Sequence, residues 1–309
     1  MKHKPIAAIS LDLDNLWSYQ RADGQRDWQN FKTYLPFVIP RIVRILETLE
    51  MQMTVFVVGK DAEIEENKES LLSLGKAGHA IGNHSYLHEP WMHKYSDAEL
   101  GRDLEMSESA LHGLFDVKLH GFRAPGFSAS PRLLNLLTHL GYTYDASSFP
   151  TFIGPLARWA YFRSANLSDA EKAEREDQFG TFSDGFLPLK PHRLNSSAGD
   201  IIEVPVTTFP ILKTPIHLTY IHYLAERSEN VAFAYFKTAL FLCRKLRITP
   251  VILLHPLDFL AEDKVSELAG FPGFGKDTAK KAAFTENLLD IVNKSFQPTT
   301  LCQFVESIT

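Results

Sequence analysis

The sequence predicts a single α/β domain over residues 1–309, in which a parallel sheet carries helices on its outside. Two observations support this fold class: short apolar runs alternate with stretches of helical period, and no short internal repeat indicates a solenoid. A third observation concerns one segment, at about 147–199, which breaks the alternation and is interpreted as an insertion at the rim. This pattern is compatible with a closed barrel and with an open sheet.

Seven strand candidates follow one another along the chain. The first begins at residue 6, and the others lie at 53–58, 79–83, 119–123, 142–146, 201–206 and 249–254. Helices are expected from residue 36, over 63–77, from a capping box at Ser96 and Glu99, from Ser130 and Pro131, and over 230–246. Residues 15–34 have no clear period and are predicted to form a long loop.

Composition narrows the possible partners. The net charge of −5 and the lack of a basic block argue against a nucleic-acid partner. The N-terminal apolar run is too short for a secretory signal and no transmembrane segment is expected, so a cytoplasmic location is predicted, with peripheral contact at a membrane left open. The two cysteines, Cys243 and Cys302, suggest neither a disulfide framework nor a thiolate metal site. The oligomeric state is left open.

Two carboxylates, Asp12 and Asp14, close the first apolar run. Residues two apart in a strand point the same way, so both can address one site. Buried carboxylates need a cation or several donors to compensate them. One interpretation is therefore a metal ligand, Asp14, beside a free general base, Asp12. The alternative is a pair that only caps a loop.

A histidine pair, His84 and His88, follows the third strand candidate. Residues four apart lie on one face of a helical turn, so both imidazoles can bind one cation, with a carboxylate from another strand completing the set. Zinc, iron and cobalt all accept such ligands. Ordinary hydrogen bonding is the competing interpretation.

Two further residues stand where strands end. Arg123 is expected to pair with Asp12, orienting it and keeping it ionised, although an ordinary ion pair is the alternative. His255 follows the apolar run 251–254 and is a candidate acid opposite the carboxylate base, or a buried, hydrogen-bonded histidine. Asp145 and Asp258 are candidates to tune His255.

The order of these motifs resembles the polysaccharide deacetylase family, the metal-dependent carbohydrate esterases related to chitooligosaccharide deacetylases. The matching motifs are the two aspartates, the histidine pair, Arg123 with Pro125, and Leu253 with His255. The spaced aspartates, residues 122–128 and His255-Pro256 are most similar to branches associated with exopolysaccharide synthesis. The tryptophan often found after the fourth-motif aspartate is missing after Asp145.

The resemblance implies a distorted (β/α) barrel of seven or eight units and a divalent metal held by Asp14, His84 and His88. Zinc is preferred, with cobalt, nickel, iron and manganese left open. Asp12 would be the base and His255 the acid.

The implied reaction removes an N-acetyl group from an amino sugar in a glycan or glycan precursor. The residues expected at the carbohydrate substrate are Pro125, Phe127, Trp17 and Trp91, although packing is the alternative role for the aromatic side chains. Other functions left open are a deformylase or amide hydrolase acting on a lipid-linked or nucleotide-linked sugar, and a non-catalytic carbohydrate-binding protein.

Overall fold

The computed structural model describes residues 4–164, 167–175, 180–269 and 273–309. Its strands belong to one sheet, with the order β6-β7-β5-β4-β3-β2-β1-β8, and β9 also pairs with β1. They are β1 Ile6–Asp12, β2 Thr54–Val57, β3 Ala80–Asn83, β4 Gly121–Phe122, β5 Tyr144–Asp145, β6 His192–Ser196, β7 Gly199–Glu203, β8 Val251–Leu254 and β9 Gln297–Thr299.

All strand pairs are parallel except β6 with β7, which is antiparallel. Strand β1 has neighbours on both sides, since Ala8 pairs with Val251 of β8 and with Thr299 of β9, while Ser10 pairs with Thr54 of β2. The predicted parallel α/β class is confirmed. The short strands β6 and β9 were missed because β6 alternates weakly and β9 contains a proline.

The two ends of the sheet approach each other beyond β7. The Thr207 amide donates to the Val251 carbonyl at 3.1 Å, and the Val251 amide donates to Thr207 Oγ1 at 2.8 Å. These bonds join the chain after β7 to β8 without extending a strand ladder. The closure of the sheet into a barrel therefore stays a prediction.

Helices pack against the outer face of the sheet, and the C-terminal helix packs against its other face. They are α1 Leu16–Ala22, α2 Leu35–Thr48, α3 Gly59–Glu63, α4 Glu65–Lys76, α5 Asp97–Phe115, α6 Pro131–His139, α7 Gly154–Ser164, α8 Asp169–Glu174, α9 Leu218–Ala225, α10 Glu229–Leu246, α11 Thr278–Ser295 and α12 Leu301–Glu306. Short 3-10 helices occupy Arg26–Asn30, Met92–Lys94, Pro125–Phe127, Phe182–Phe186, Pro256–Asp258 and Ser266–Leu268. None of the helices in the described ranges is both long and apolar enough to span a bilayer.

The core has a large part and a small part. The large part lies between the sheet and the outer helices, whereas the small part joins Ala8 and Phe56 to Leu301 and Phe304 of α12. Ala8 shares its face of β1 with Ser10 and Asp12, so α12 fills one end of that face and leaves the carboxyl end to polar residues.

The predicted loop over 15–34 is wrong, because α1 and the 3-10 helix Arg26–Asn30 lie within it. Asn15 caps α1 through a capping box with Ser18, a local signal that the missing apolar period concealed. Helix α9 was also missed. The predicted capping box at Ser96 and Glu99 is confirmed.

Candidate active site

The site is built where parallel strands end at one edge of the sheet. Leu11 of β1 pairs with Leu254 of β8, so the next residues, Asp12 and His255, end neighbouring strands. In the same way Asn83 of β3 pairs with Phe122 of β4, and His84 and Arg123 follow. The backbone alone therefore brings together the four strand ends that carry the predicted residues.

Arg123 holds Asp12. Its buried guanidinium donates from Nη1 to Asp12 Oδ1 at 2.6 Å and to Ser10 Oγ at 2.9 Å, and from Nε to the Ala146 carbonyl at 2.9 Å. The guanidinium carbon also lies 4.4 Å from the ring centroid of Phe56. Asp12 is thus a buried carboxylate with a fixed orientation and a charge partner.

Asp14 faces both histidines. The Nε2 atoms of His84 and His88 lie 3.4 and 2.9 Å from Asp14 Oδ1, and one ligand atom from each of the three residues lies within 4.8 Å of the others. Burial would raise the pKa of Asp14, but the nearby His88, His84 and His255 lower it well below its usual range. The set is therefore ready to bind as a carboxylate.

The donor set fits a divalent metal. His84 Nδ1 lies 2.6 Å from the Arg123 carbonyl, so this nitrogen carries a proton and Nε2 is the ring nitrogen that faces Asp14. Burial lowers the pKa of His84, but the nearby Asp12 and Asp14 raise it above its ordinary value. Neither histidine contact has hydrogen-bond geometry, which leaves the buried Asp14 Oδ1 without a hydrogen-bond partner among the described residues. A cation in place of a proton on Nε2 would satisfy both the carboxylate oxygen and the imidazole nitrogens that face it.

The histidine pair lies on a loop, not on the predicted helical turn. Ser85 and His88 adopt left-handed backbone conformations, with φ of 64° and 51°. Asn83 Oδ1 accepts from the Ser85 amide at 2.9 Å and from Ser107 Oγ at 2.6 Å, and the His88 amide donates to Ser85 Oγ at 3.0 Å. These polar bonds make the two rings converge.

Two tyrosines near Asp14 were missed in the sequence. Tyr34 Oη donates to the Asp14 carbonyl at 2.6 Å, and the Tyr19 phenol lies close enough to the Asp14 carboxylate to sense its charge. Burial and the charge of Asp14 raise the pKa of both phenols well above the usual range, so both stay donors. Tyr19 lies on α1, and the capping pattern at Asn15 was the signal that could have revealed it.

A third buried aspartate, Asp61 on α3, anchors the start of α1. Its Oδ1 accepts from Asn15 Nδ2 at 2.7 Å and from Trp17 Nε1 at 2.8 Å. Burial raises its pKa to about 7, despite these two hydrogen bonds. Asp61 thus fixes the residue that follows Asp14.

His255 is oriented through Thr219, on α9. Thr219 Oγ1 donates to Asp258 Oδ1 at 2.8 Å and lies 3.0 Å from His255 Nδ1, while the His255 amide donates to Asp258 Oδ2 at 2.8 Å. Since the hydroxyl proton points to Asp258, Thr219 accepts from His255 Nδ1 and leaves Nε2 for other chemistry. Nothing in the sequence pattern links Thr219 to His255.

Asp145 lies in a different cluster from His255. Its Oδ1 accepts from Ser147 Oγ at 2.6 Å, and Asp145 pairs across the sheet with Glu203, whose Oε1 accepts from the Ser148 amide at 2.9 Å. Burial raises the pKa of Asp145, and burial with the neighbouring Asp145 raises that of Glu203 well above its usual range. This pair therefore holds a proton and fixes the chain after β5.

A series of ring contacts leads from Phe127 to His255. Phe127 stacks on Phe149, with centroids 4.8 Å apart, and Phe149 lies 5.7 Å from the ring of His217, which is 5.9 Å from that of His255. Burial and His255 lower the pKa of His217 to about 3, so this ring is neutral. Pro125 is buried at the start of the 3-10 helix that contains Phe127.

The two predicted tryptophans lie in different surroundings. Trp17 is fully buried against Trp28 and Phe31, and its indole donates to Asp61, so no ring face is left for a sugar. Trp91 lines an open cavity of about 210 Å³ together with Trp28 and Arg175. Trp91 is only 9% exposed, and the guanidinium carbons of Arg21 and Arg175 lie 5.6 and 5.0 Å from its ring centroid. Stacking on a sugar is therefore closed to Trp17, and at Trp91 it would compete with these two arginines.

The chain matches a known protein family. The family model for polysaccharide deacetylase matches residues 22–144. This range includes His84, His88 and Arg123 and ends before His255, while Asp12 and Asp14 precede it. The predicted resemblance is confirmed over that range and supports carbohydrate deacetylation as the general class of reaction. A comparison with curated proteins gave no match.

Solved structures confirm the fold. A candidate polysaccharide deacetylase from Mycobacterium smegmatis superposes with a TM-score of 0.64 at 20% identity, covering 99% of this chain and 91% of that one. Puue allantoinase superposes with a TM-score of 0.56 at 13% identity, covering 99% of this chain and 90% of the other. At such low identities these similarities show a shared fold.

Proposed function

Because residues 22–144 match the polysaccharide deacetylase family, we propose that this chain is a metal-dependent hydrolase that removes the N-acetyl group of an amino sugar in a glycan or glycan precursor. One observation carries the proposal. A carboxylate fixed by arginine, Asp12, lies on the strand beside His255 and next to the Asp14, His84 and His88 set.

Asp14, His84 and His88 would hold the metal. One carboxylate and two imidazoles suit zinc, and cobalt, nickel, iron or manganese accept the same ligands. A divalent ion bound there supplies Lewis-acid polarisation of the amide carbonyl.

Asp12 acts as the general base and takes a proton from the attacking water. Its bond to Arg123 fixes the orientation of the carboxylate and supplies a charge partner. A positioned base contributes about 10²- to 10⁴-fold to such reactions.

His255 acts as the general acid. Thr219 engages Nδ1, so Nε2 is the nitrogen that gives a proton to the leaving amine. Neutral His217 beside it does not compete for that proton, because its pKa is about 3.

Substrate contacts are proposed for Phe127, Pro125 and Trp91. The Phe127 ring stacks on Phe149 and lies on the aromatic route to His255, where a sugar ring could stack.

The proposal is tested by acetate release from polymeric, lipid-linked and nucleotide-linked N-acetylated amino sugars, using purified protein loaded with zinc. We expect Asp12→Asn and His255→Ala to lower kcat by at least about 100-fold, while Asp116→Asn, an exposed position distant from the site, leaves it unchanged. Full activity in either site variant would refute the assignment.

The same assay separates the alternatives. Mass analysis of the product distinguishes loss of acetyl from loss of formyl, which would indicate a deformylase. Glycan binding with no released acid in the metal-loaded protein would indicate a carbohydrate-binding protein without turnover.

A further inference from the structure

The most exposed apolar side chains of the described residues gather at one place. Phe186, Ile211, Leu156 and Phe182 are 74%, 67%, 62% and 60% exposed, more than any other large hydrophobic residue in the described ranges. Trp159 and Leu212 are also exposed. We call Leu156, Trp159, Phe182, Phe186, Ile211 and Leu212 the rim patch. Such a concentration marks an interaction surface, whereas single exposed apolar residues do not.

Contacts join the three segments of the rim patch. Phe152, just before α7, lies 4.9 Å from Phe182 and 5.1 Å from Phe186, measured between ring centroids. Thr151 Oγ1 donates to the Lys213 carbonyl at 2.8 Å, and Lys213 Nζ donates to the Leu187 carbonyl at 2.7 Å. The turn that carries Ile211 and Leu212 is therefore fixed beside the two phenylalanines.

Helix α7 is tied to the same surface. Arg158 Nη1 donates to the Gly180 carbonyl at 3.1 Å, two residues before Phe182. Arg163 lies over the ring of Trp159, with its guanidinium carbon 4.8 Å from the centroid. The patch thus combines apolar rings with a tryptophan whose polar edge and cationic neighbour suit an interface between water and lipid.

The charges around the patch are mostly positive. Residues 147–167 and 204–217 contain no aspartate or glutamate, and 180–192 contains only Asp184. These stretches supply Arg158, Arg163, Lys190 and Lys213. Asp169 of the insertion lies on α8, and Arg175 after this helix donates to the Ala22 carbonyl at the end of α1. The described segments that carry the patch therefore hold more basic than acidic residues, and we call Arg158, Arg163 and Lys213 its basic border.

The patch adjoins the candidate active site. Phe149, three residues before Phe152, stacks on Phe127 and contacts His217, whose ring lies 5.9 Å from that of His255. A surface docked through the patch would lie beside the proposed acid.

We propose that the rim patch docks on a bilayer with anionic headgroups, so that the amino sugar reaches the site attached to a membrane lipid. The membrane contact follows from the patch, and the attached sugar rests on the function proposed above. Anionic headgroups complement the basic border, whereas a second copy docked through the same patch would bring like charges together.

The first experiment is co-sedimentation with vesicles of phosphatidylcholine containing about one third phosphatidylglycerol. We expect binding to these vesicles, weaker binding to phosphatidylcholine alone, and at least about tenfold weaker partitioning of the F186S/I211S double variant. Phe241→Ser is the matched control, because Phe241 is 56% exposed on α10 and lies outside the patch. Equal partitioning of the wild type and the patch variant, or no binding at all, would overturn the proposal.

Light scattering tests whether a second copy of the chain, and not a membrane, covers the rim patch. A wild-type dimer that the patch variant dissociates would assign the patch to a second copy and overturn the membrane assignment. Unchanged mass in both proteins supports docking on lipid.

The second experiment compares acetate release from an N-acetylglucosamine glycolipid in the same vesicles and from a soluble N-acetylated oligosaccharide. We expect the patch variant to lose about tenfold on the glycolipid and to keep its rate on the soluble substrate. Equal losses on both would overturn membrane presentation. Vesicle binding without release from either substrate would instead refute the proposed hydrolase.

Discussion

Two pairs of buried carboxylates lie at the same edge of the sheet and behave in opposite ways. Asp12 and Asp14 face Arg123 and two histidines, and the pKa of Asp14 is lowered. Asp145 and Glu203 face serine and backbone donors, and the pKa of Glu203 is raised well above its usual range. The two pairs share residue chemistry and burial. The groups opposite them move the pKa values of Asp14 and Glu203 in opposite directions, and only the first pair is suited to metal and base chemistry.

The largest effect is expected from removing Asp14, the carboxylate whose pKa is lowered. Asp14→Ala should abolish metal binding, because it deletes the carboxylate that both imidazoles face. We expect metal content, measured by mass spectrometry after dialysis, to fall from about one ion per chain to near zero. Asp145→Asn is the matched control and should keep its metal. Equal metal content in Asp14→Ala and wild type would place the metal elsewhere.

A smaller effect is expected at another buried carboxylate, Asp258, where the Thr219 hydroxyl lies between the carboxylate and the His255 imidazole. Thr219→Val should lower kcat about tenfold, the equivalent of one hydrogen bond, with little change in KM. Thr219→Ser retains the hydroxyl and should restore the rate. The pH profile of kcat is the diagnostic readout, since a purely structural role would leave its shape unchanged.

The smallest effect concerns the protonated pair. The folded chain holds the Glu203 proton to a higher pH than the unfolded chain, whose pKa is near 4.5. The contribution of Glu203 to stability is therefore complete below that pH and declines as the pH rises toward the raised folded value. Glu203→Gln mimics the protonated acid and should reduce the fall in Tm between about pH 5 and pH 8. Exposed Glu69→Gln is the control, and identical slopes for all three proteins would contradict the assignment.

Residues that end apolar strands could be predicted from the sequence. Asp12, His84, Arg123 and His255 each follow an apolar run, so parallel pairing delivers them to one edge. The α/β class followed from the same alternation. Residues that reach the site from helices were harder to predict. The capping pattern at Asn15 indicates helix α1, but the contacts of Tyr19 and Thr219 depend on how α1 and α9 lie against the sheet.

For Trp17 and Asp145, a prediction based only on the chemical type of the side chain gave the wrong environment. Trp17 was expected at the substrate because it is aromatic and follows the acidic pair, yet Asp61 holds its indole in the core. Asp145 was expected to tune His255, but it ends β5 beside Glu203. Both depend on strand register and long-range packing, which a single sequence does not encode locally.

Arg123 serves the two halves of the site through different atoms. Its side chain fixes Asp12, while its carbonyl fixes the ring of His84. Substitution removes the first role and leaves the second, because every residue has a backbone carbonyl. On the proposed function, a single codon change at Arg123 would therefore remove the partner of the base and leave the proposed metal ligands in place.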